Sequence, residues 1–261
     1  MRNLGIEDVH KVLLGIAVEF DKICQRHGIP YYMLGGTMLG AVRHKGFIPW
    51  DDDMDFGVPR QYYEKLREIL EKELPQPYRC CTFTNSPYVF YPYYKIEDRN
   101  TRLDSAQLKG TIIDKIGINI DIFPLDSCNK DDKRIKGIMK MNDAYGRIFT
   151  QSSCKSKQKN KLKSGIRLLL PISQQRFYNH IVKRISEIPS GDCWANLFGH
   201  WEEKEIIPVQ WYGQDVKYAF EDVEFSGLGE YDLYLKHLYG DYMQLPPEDK
   251  RKPHGENAYA I

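Results

Sequence analysis

The chain has 261 residues, enough for one large domain or two small ones, and its 42% hydrophobic and 28% charged residues are ordinary for a folded protein. A formal net charge of +1 gives no overall field that would draw the protein to nucleic acid or membrane, so any basic patch must be local. We therefore expect a folded protein with a sizeable core and no nucleic-acid partner.

The six cysteines include no Cys-x-x-Cys pair and lie in no histidine-rich cluster that would suit zinc. In a chain of this length they are typical of buried thiols in a reducing compartment. The N-terminus has no apolar signal segment, and no run of about 18 apolar residues occurs. We expect a cytoplasmic protein, which can also work at the inner face of the cytoplasmic membrane.

Apolar side chains at spacings of three and four predict a first helix over Ile6–His27, with Gly28 as its stop. Its predicted buried stripe is Val9, Leu13, Ile16, Ala17, Phe20, Ile23 and Cys24. In chain order, the other predicted elements are a strand over 29–34, a helix over 37–44, a strand over 54–58, a helix over 61–73, strands over 78–84, 91–98 and 116–123, one or two helices over 131–150, short strands around 218–225 and a helix over Tyr231–Tyr239.

Four aspartates crowd five positions at Asp51, Asp52, Asp53 and Asp55. Like charges at close range repel one another, so the run indicates that something positive sits there. Asp53 and Asp55 alternate around Met54 and would point to one face of a strand, because side chains repeat with a period of two. Such a pair suits a divalent metal that carries a nucleotide's phosphates. Asp51 and Asp52 are then supporting residues, although Asp51 can share the metal.

A third carboxylate is predicted at Asp121, on the strand over 116–123 where apolar and polar residues alternate. If this strand pairs with the strand that carries Asp55, three carboxylates and phosphate oxygens complete the oxygen shell of Mg²⁺, with Mn²⁺ as the alternative metal. A solvated turn or a calcium loop would also explain the acidic run. An EF-hand loop counted from Asp51 needs Gly at its sixth position and Glu at its twelfth, but Phe56 and Tyr62 stand there.

Gly35-Gly36-Thr37 lies between a short apolar run and the predicted helix over 37–44. Alone, a Gly-Gly pair after an apolar run most often marks only a tight turn. At the start of a helix, free backbone N–H groups and the helix dipole favour an anion. The three residues together therefore predict a phosphate cradle.

Four basic residues near these motifs are candidates for contact with phosphate or acceptor: Arg43, His44, Lys45 and Lys95. The first three form a basic turn, whose alternative role is only to neutralise the acidic run. Lys95 lies on the predicted strand over 91–98, where a buried lysine without an anion would be costly. The alternative is an ordinary surface lysine.

The positions 88–94 are rich in aromatic residues, namely Tyr88, Phe90, Tyr91, Tyr93 and Tyr94. An aromatic cage holds a quaternary ammonium such as choline by cation–π attraction. The commoner reason for such a run is the core face of a strand, and we favour that interpretation.

The segment 155–184 contains nine Lys or Arg residues and no acid, interleaved with apolar residues. Such a segment can lie on an anionic membrane surface, which would suit an acceptor built on a lipid carrier. The competing interpretations are a solvated basic helix whose apolar residues pack on the domain, or a disordered loop over 152–164.

A set of motifs occurs in a fixed order along most of the chain. These are Gly35-Gly36-Thr37, Asp53-Met54-Asp55-Phe56, Tyr94-Lys95-Ile96-Glu97-Asp98, Thr101-Arg102, Ile120-Asp121-Ile122-Phe123-Pro124-Leu125-Asp126, Tyr239-Gly240-Asp241-Tyr242-Met243 and His254. In combination and order they resemble the LicD family of phosphorylcholine transferases and the related fukutin-like proteins, within the nucleotidyltransferase superfamily. The segment 155–184 is where members of that family look least alike.

The resemblance implies roles for particular residues. By it, the metal pair is Asp53 and Asp55, the third carboxylate is Asp121, the phosphate contacts are Gly36 and Thr37, and His254 is a further site residue. The expected fold is α+β: a nucleotidyltransferase-type mixed β-sheet core with flanking helices and a mostly helical C-terminal portion. We place the catalytic core at 1–130 and the C-terminal portion, packed on it, at 131–261.

The implied activity is a Mg²⁺-dependent transfer of phosphocholine, or a related phospho-alcohol, from a CDP-alcohol to a hydroxyl of a glycan or lipid-linked glycan, with release of CMP. CDP-choline is the first expectation for the donor. One alternative is a nucleotidyltransferase that moves an NMP group to a protein or small molecule. Another is an inactive module that binds nucleotide or glycan, against which the intact carboxylate set argues.

Overall fold

Six helices flank and connect three β-sheets in the part of the chain that the computed structural model describes, residues 2–82, 85–86, 92–104, 116–149, 174–214, 216–253 and 257–261. The helices are α1 (Ile6–His27), α2 (Gly35–His44), α3 (Arg60–Glu73), α4 (Lys133–Phe149), α5 (Gln174–Ser186) and α6 (Tyr231–Tyr239). The strands are β1 (Arg2–Leu4), β2 (Tyr32–Met33), β3 (Asp55–Pro59), β4 (Tyr78–Cys81), β5 (Tyr94–Asp98), β6 (Thr101–Asp104), β7 (Asn119–Cys128), β8 (Cys193–Ala195), β9 (Ile206–Pro208), β10 (Lys217–Phe220), β11 (Val223–Ser226) and β12 (Asn257–Ala260). The predicted α+β class is confirmed.

Helix α1 has the predicted bounds, and the seven residues of its predicted stripe are its buried residues. It ends at Gly28, whose φ of +61° lies in the left-handed region that glycine adopts without steric cost. The stripe packs on the central sheet, where the ring centroids of Phe20 and Phe56 are 5.1 Å apart. Since Phe56 directly follows Asp55 on β3, this contact fixes the strand that carries the predicted metal pair.

The central sheet is mixed and has the strand order β2-β3-β7-β5-β4. The pair β3–β7 is parallel, and β2–β3, β5–β7 and β4–β5 are antiparallel. The final residues of β7 pair with β8, which pairs in turn with β9, so two strands from the C-terminal half extend the sheet. The parallel pair at the centre brings the chain after α2 beside the chain after residue 116.

Strand β7 begins and ends later than the predicted span of 116–123, because it continues through Pro124. The N–H of Asp121 donates to Met54, so alternate N–H groups of β7 face β3 and position 124 faces the opposite edge. On that edge pairing with β5 ends at Ile122, and pairing with β8 begins at Asp126. The missing N–H of proline therefore falls between two partner strands and interrupts neither.

The C-terminal portion combines helices with short strands. The hairpin β10–β11 and helix α6 stand where they were predicted. Strand β12 pairs with both β1 and β6, so a three-stranded sheet joins the two ends of the chain to its middle. This pairing was not predicted from the sequence.

Only the end of the basic segment 155–184 lies within the described residues, in α5. There Phe177 and Ile181 are buried with Ile135 and Ile138 of α4 in the hydrophobic core. These two apolar residues therefore pack on the protein, as the interpretation of a basic helix on the domain requires. Among the described helices none is long and apolar enough to cross a membrane.

Candidate active site

Three charged residues stand side by side across the centre of the sheet. Asp55 on β3 is the register partner of Asp121 on β7, and Asp121 is the register partner of Lys95 on β5. Register partners on neighbouring strands point their side chains to the same face of a sheet. The three predicted residues therefore share one face, from which the candidate site is built.

The ammonium group of Lys95 forms an ion pair with Oδ1 of Asp121 and lies 3.1 Å from Oδ1 of Asn119. The side chains of Lys95 and Asp121 are only 20% and 19% exposed. Partial burial strengthens this pair, because less water screens the two charges. Lys95 is thus a partly buried cation beside the carboxylates, and the surface-lysine alternative does not describe it.

Electrostatic strain is concentrated at Asp55. Burial is the first cause that raises the pKa of this carboxyl, and the charges of Asp53, Asp121 and Asp51 raise it further, while Lys95 opposes the shift. One lysine beside several carboxylates does not balance their charge. The site therefore offers a favourable place for a further cation or a strong proton affinity.

The donor set at Asp55 fits Mg²⁺. Mg²⁺ takes oxygen ligands and usually keeps several waters, with one or two carboxylates and substrate phosphates completing its shell. Asp53 and Asp55 supply two such carboxylates. Among the described residues no group of three or more His, Cys, Asp or Glu is arranged to hold a metal ion. The fit is thus to a metal that shares its ligands with a substrate, and a metal contact by Asp121 stays a prediction.

The Gly-Gly-Thr turn begins α2 beside the carboxylates. Gly35 has φ +49°, and a Cβ built on it would lie 3.7 Å from Oδ2 of Asp55. Its N–H donates to the hydroxyl of Tyr234 over 2.8 Å. The N–H of Asp55 donates to Oγ1 of Thr37 over 2.8 Å. The turn is therefore tied to β3 and to α6, and the predicted phosphate contact at Gly35 must compete with Tyr234 for the N–H.

Asp51 lies over the first turn of α2. A Cβ built on Gly36 would stand 2.7 Å from Oδ2 of Asp51, so glycine is needed for this close approach. A carboxylate is favourable there, because the N-terminus of a helix carries partial positive charge. The backbone oxygen of Asp51 lies 2.6 Å from Nε2 of His10. These contacts fit the supporting role expected for Asp51.

The basic turn lies at the other end of α2. Arg43 is eight residues after Gly35, which is about 12 Å along a helix. Its guanidinium donates to the backbone oxygen of Tyr242 over 2.6 Å and to Nε2 of His44 over 2.9 Å. Burial lowers the pKa of both Arg43 and His44, and the charge of Arg43 lowers that of His44 further. Lys45 ends the helix in the left-handed region at φ 60°. The structure thus separates these residues from the glycine turn.

Two tyrosines of α6 were missed as site residues. Tyr234 accepts the N–H of Gly35, as described above. The hydroxyl of Tyr239 lies 3.6 Å from the position of a Cβ on Gly35. Burial and the charges of Glu205, Asp55, Asp51 and Asp53 raise the pKa of Tyr239. Tyr239 belongs to a motif of the family resemblance, and that was the only signal in the sequence.

Some predicted residues fall outside the description. His254 and the aromatic residues Tyr88, Phe90 and Tyr91 lie outside the described residues. Tyr94 is buried and stacks on Tyr63 with ring centroids 4.5 Å apart, in accord with the core interpretation of the aromatic run.

Comparison with known proteins gives concordant matches. A family model described as the LicD/FKTN/FKRP nucleotidyltransferase domain matches residues 28–152. Over 276 aligned positions covering 100% of both chains, the sequence is 30% identical to lipopolysaccharide cholinephosphotransferase LicD of Haemophilus influenzae. It is 44% identical over 36 residues to ribitol 5-phosphate transferase FKRP of human and of mouse, which covers 14% of this chain and 7% of each relative. An uncharacterized protein of Rickettsia prowazekii is 43% identical over 49 residues, 19% of this chain and 18% of the relative.

Proposed function

The chain belongs to the LicD/FKTN/FKRP family, and from this we propose that it is a Mg²⁺-dependent transferase of phospho-alcohol groups. The donor is a CDP-alcohol, with CDP-choline first among them, and the acceptor is a hydroxyl of a glycan, free or linked to lipid. CMP is the second product. The assignment of choline and of a glycan follows the printed activity of the full-length relative from Haemophilus influenzae.

The observation that carries this proposal is the alignment of Asp55, Asp121 and Lys95 on adjacent strands beside the Gly35 turn. Transfer of a phosphoryl group needs negative oxygens to be held and a nucleophile to be oriented, and little else from the protein. The three strands supply fixed carboxylates and a cation, and the turn starts a helix whose N-terminus favours an anion.

The reaction is a substitution at phosphorus. The acceptor oxygen forms a bond to the phosphorus that carries the alcohol, and the bond from that phosphorus to the bridging oxygen breaks, so CMP leaves with the bonding electrons. Asp121 orients the acceptor hydroxyl and takes its proton, while Lys95 holds the carboxylate by its Oδ1. Held by Asp53 and Asp55, Mg²⁺ supplies charge stabilisation for the phosphate oxygens. A covalent intermediate on the protein is not required.

A product analysis tests the proposal. The protein is incubated with Mg²⁺, a candidate glycan and one donor from the set CDP-choline, CDP-glycerol, CDP-ribitol and CTP. We expect CMP to form with one CDP-alcohol only when the acceptor is present, and the acceptor to gain the phospho-alcohol. Pyrophosphate released from CTP, with NMP on the acceptor, would instead identify a nucleotidyltransferase. Formation of neither product with any donor would leave only a binding module.

A further inference from the structure

Tyr239, the last residue of α6, brings a hydroxyl group to the glycine turn from almost the far end of the chain. The hydroxyl and Oδ2 of Asp55 lie 3.6 and 3.7 Å from the position that a Cβ on Gly35 would take. A side chain at position 35 would therefore fill the space between them. Glycine leaves this space open, next to the strand that carries the carboxylate pair.

The ring of Tyr239 is held in place on the side away from the turn. Trp201 meets it edge to face, with ring centroids 5.1 Å apart and an interplanar angle of 83°. Helix α6 ends directly after it at Gly240, where φ is +71°. Both contacts involve the ring or the backbone, so they position the hydroxyl without using it.

The structure records no hydrogen bond of the Tyr239 hydroxyl to any other described residue. The neighbouring tyrosine of the same helix differs, since the hydroxyl of Tyr234 accepts the N–H of Gly35. A phenol has an ordinary pKa of about 10 and is therefore a hydrogen-bond donor at neutral pH. Next to a helix N-terminus, such a donor suits an anionic oxygen.

We propose that Tyr239 is a substrate-binding residue whose hydroxyl donates a hydrogen bond to a phosphate oxygen of the nucleotide donor. This inference rests on the proposed function, because it places the diphosphate at the Gly35 turn. The hydroxyl supplies a neutral donor on the side of the turn opposite to the carboxylates. Tyr234 then has a separate, structural role, which is to hold the N–H of Gly35.

The test compares binding of CDP and of cytidine by Tyr239→Phe and wild-type protein, measured by calorimetry with Mg²⁺ present. Loss of a hydrogen bond to a charged group should weaken CDP binding by about 10- to 100-fold. Cytidine has no phosphate, so its affinity should not change. Thermal unfolding of the free protein should also be unchanged, because the lost hydroxyl bonds no described residue.

Tyr218→Phe is the matched control. The Tyr218 hydroxyl donates to the backbone oxygen of Leu228 over 2.6 Å, so its loss should lower the unfolding temperature and leave CDP affinity unchanged. Unchanged CDP binding by Tyr239→Phe would overturn the inference. An equal loss for CDP and cytidine, or a lower unfolding temperature, would also overturn it, since either would identify a structural role. Wild-type protein that binds CDP but forms no CMP would contradict the proposed function alone.

Discussion

The residue that best explains the site is Asp55, a carboxylate whose charged form is unfavourable in the protein without a further cation. Burial and neighbouring carboxylates raise the pKa of its carboxyl group. A sheet gains no stability from such an arrangement, and natural proteins keep unfavourable charges chiefly at functional sites. The arrangement thus has a function that requires the charge.

Asp55→Asn should lower the rate of transfer by orders of magnitude, because it keeps the shape and removes one charge from a divalent site. The free protein should be at least as stable as wild type, since a poorly solvated charge is gone. The measurements are CMP release at saturating Mg²⁺ and thermal unfolding without metal. The matched control is Asp222→Asn, which removes an equal charge at an exposed turn. Near-normal turnover of Asp55→Asn would contradict the metal assignment.

At this scale the sequence predicted the residues of the strands and missed those of α6. Asp55, Asp121 and Lys95 were identified because the alternation of polar and apolar residues assigns each to a strand face. Tyr234 meets Gly35 across 199 positions of sequence. No local pattern carries that contact, because it depends on how α6 packs on α2.

At the scale of elements, one ion pair ties α3 to the central sheet. The guanidinium of Arg60, the first residue of α3, donates to both carboxylate oxygens of Asp126 on β7, over 2.6 and 2.8 Å. The side chain of Asp126 is 2% exposed. Burial alone would lower the pKa of Arg60, but the charge and hydrogen bonds of Asp126 outweigh it and the pKa is raised. The pair therefore stands where β7 exchanges β5 for β8.

Arg60→Met should lower the free energy of unfolding by about 3–5 kcal/mol, because it leaves the buried carboxylate of Asp126 without its cation. Urea unfolding measures this change. The control is Arg26→Met, which breaks an ion pair with Glu73 in which the arginine side chain is 61% exposed. Exposed pairs contribute about 0–1 kcal/mol, so this variant should remain close to wild type. Equal losses in the two variants would refute the role of burial.

Elements with one strong local pattern were predicted well, and elements that depend on partners were not. The stripe of α1 has a clear helical period and was confirmed in every residue. Strand β7 was expected to stop before Pro124, because proline cannot donate to a ladder. Whether that donor is needed depends on which strand lies beside it, and the sequence of β7 does not contain that information.

At the scale of the whole molecule, the C-terminal half completes the sheet and supports the glycine turn. Residues 193–208 add β8 and β9 to the core sheet, and α6 reaches the turn. Such long-range pairings carry no short-range signal, which is why a separate, mostly helical portion was the natural expectation. Between these two contributions lies Glu205, which is 7% exposed.

Glu205 should make stability depend on pH. Burial raises the pKa of its carboxyl from 4.5 to about 7, against the opposing hydrogen bond from the N–H of Trp201. Between these two values the folded state keeps a proton that the unfolded state has lost. Stability attributable to this group therefore falls as pH rises from about 4.5 to 7 and is level above, by about 3 kcal/mol in all.

Glu205→Gln isolates this effect, because the amide has similar shape and does not titrate. The difference in unfolding free energy between the variant and wild type should grow in favour of the variant from about pH 4.5 to 7 and then stay constant. Denaturant unfolding across this pH range measures it. A difference that is independent of pH would show that Glu205 does not hold its proton in the folded protein.

The most direct test of the site concerns Asp121, which joins the carboxylate pair to the chemistry. We predict that Asp121→Asn binds the CDP-alcohol with an affinity near that of wild type, while the single-turnover rate of CMP formation falls by at least about 1000-fold, since a group that activates the acceptor acts in the transition state. The measurement is rapid-quench CMP formation with the donor affinity determined in parallel. A variant that loses donor affinity but keeps its single-turnover rate would contradict the catalytic centre described here.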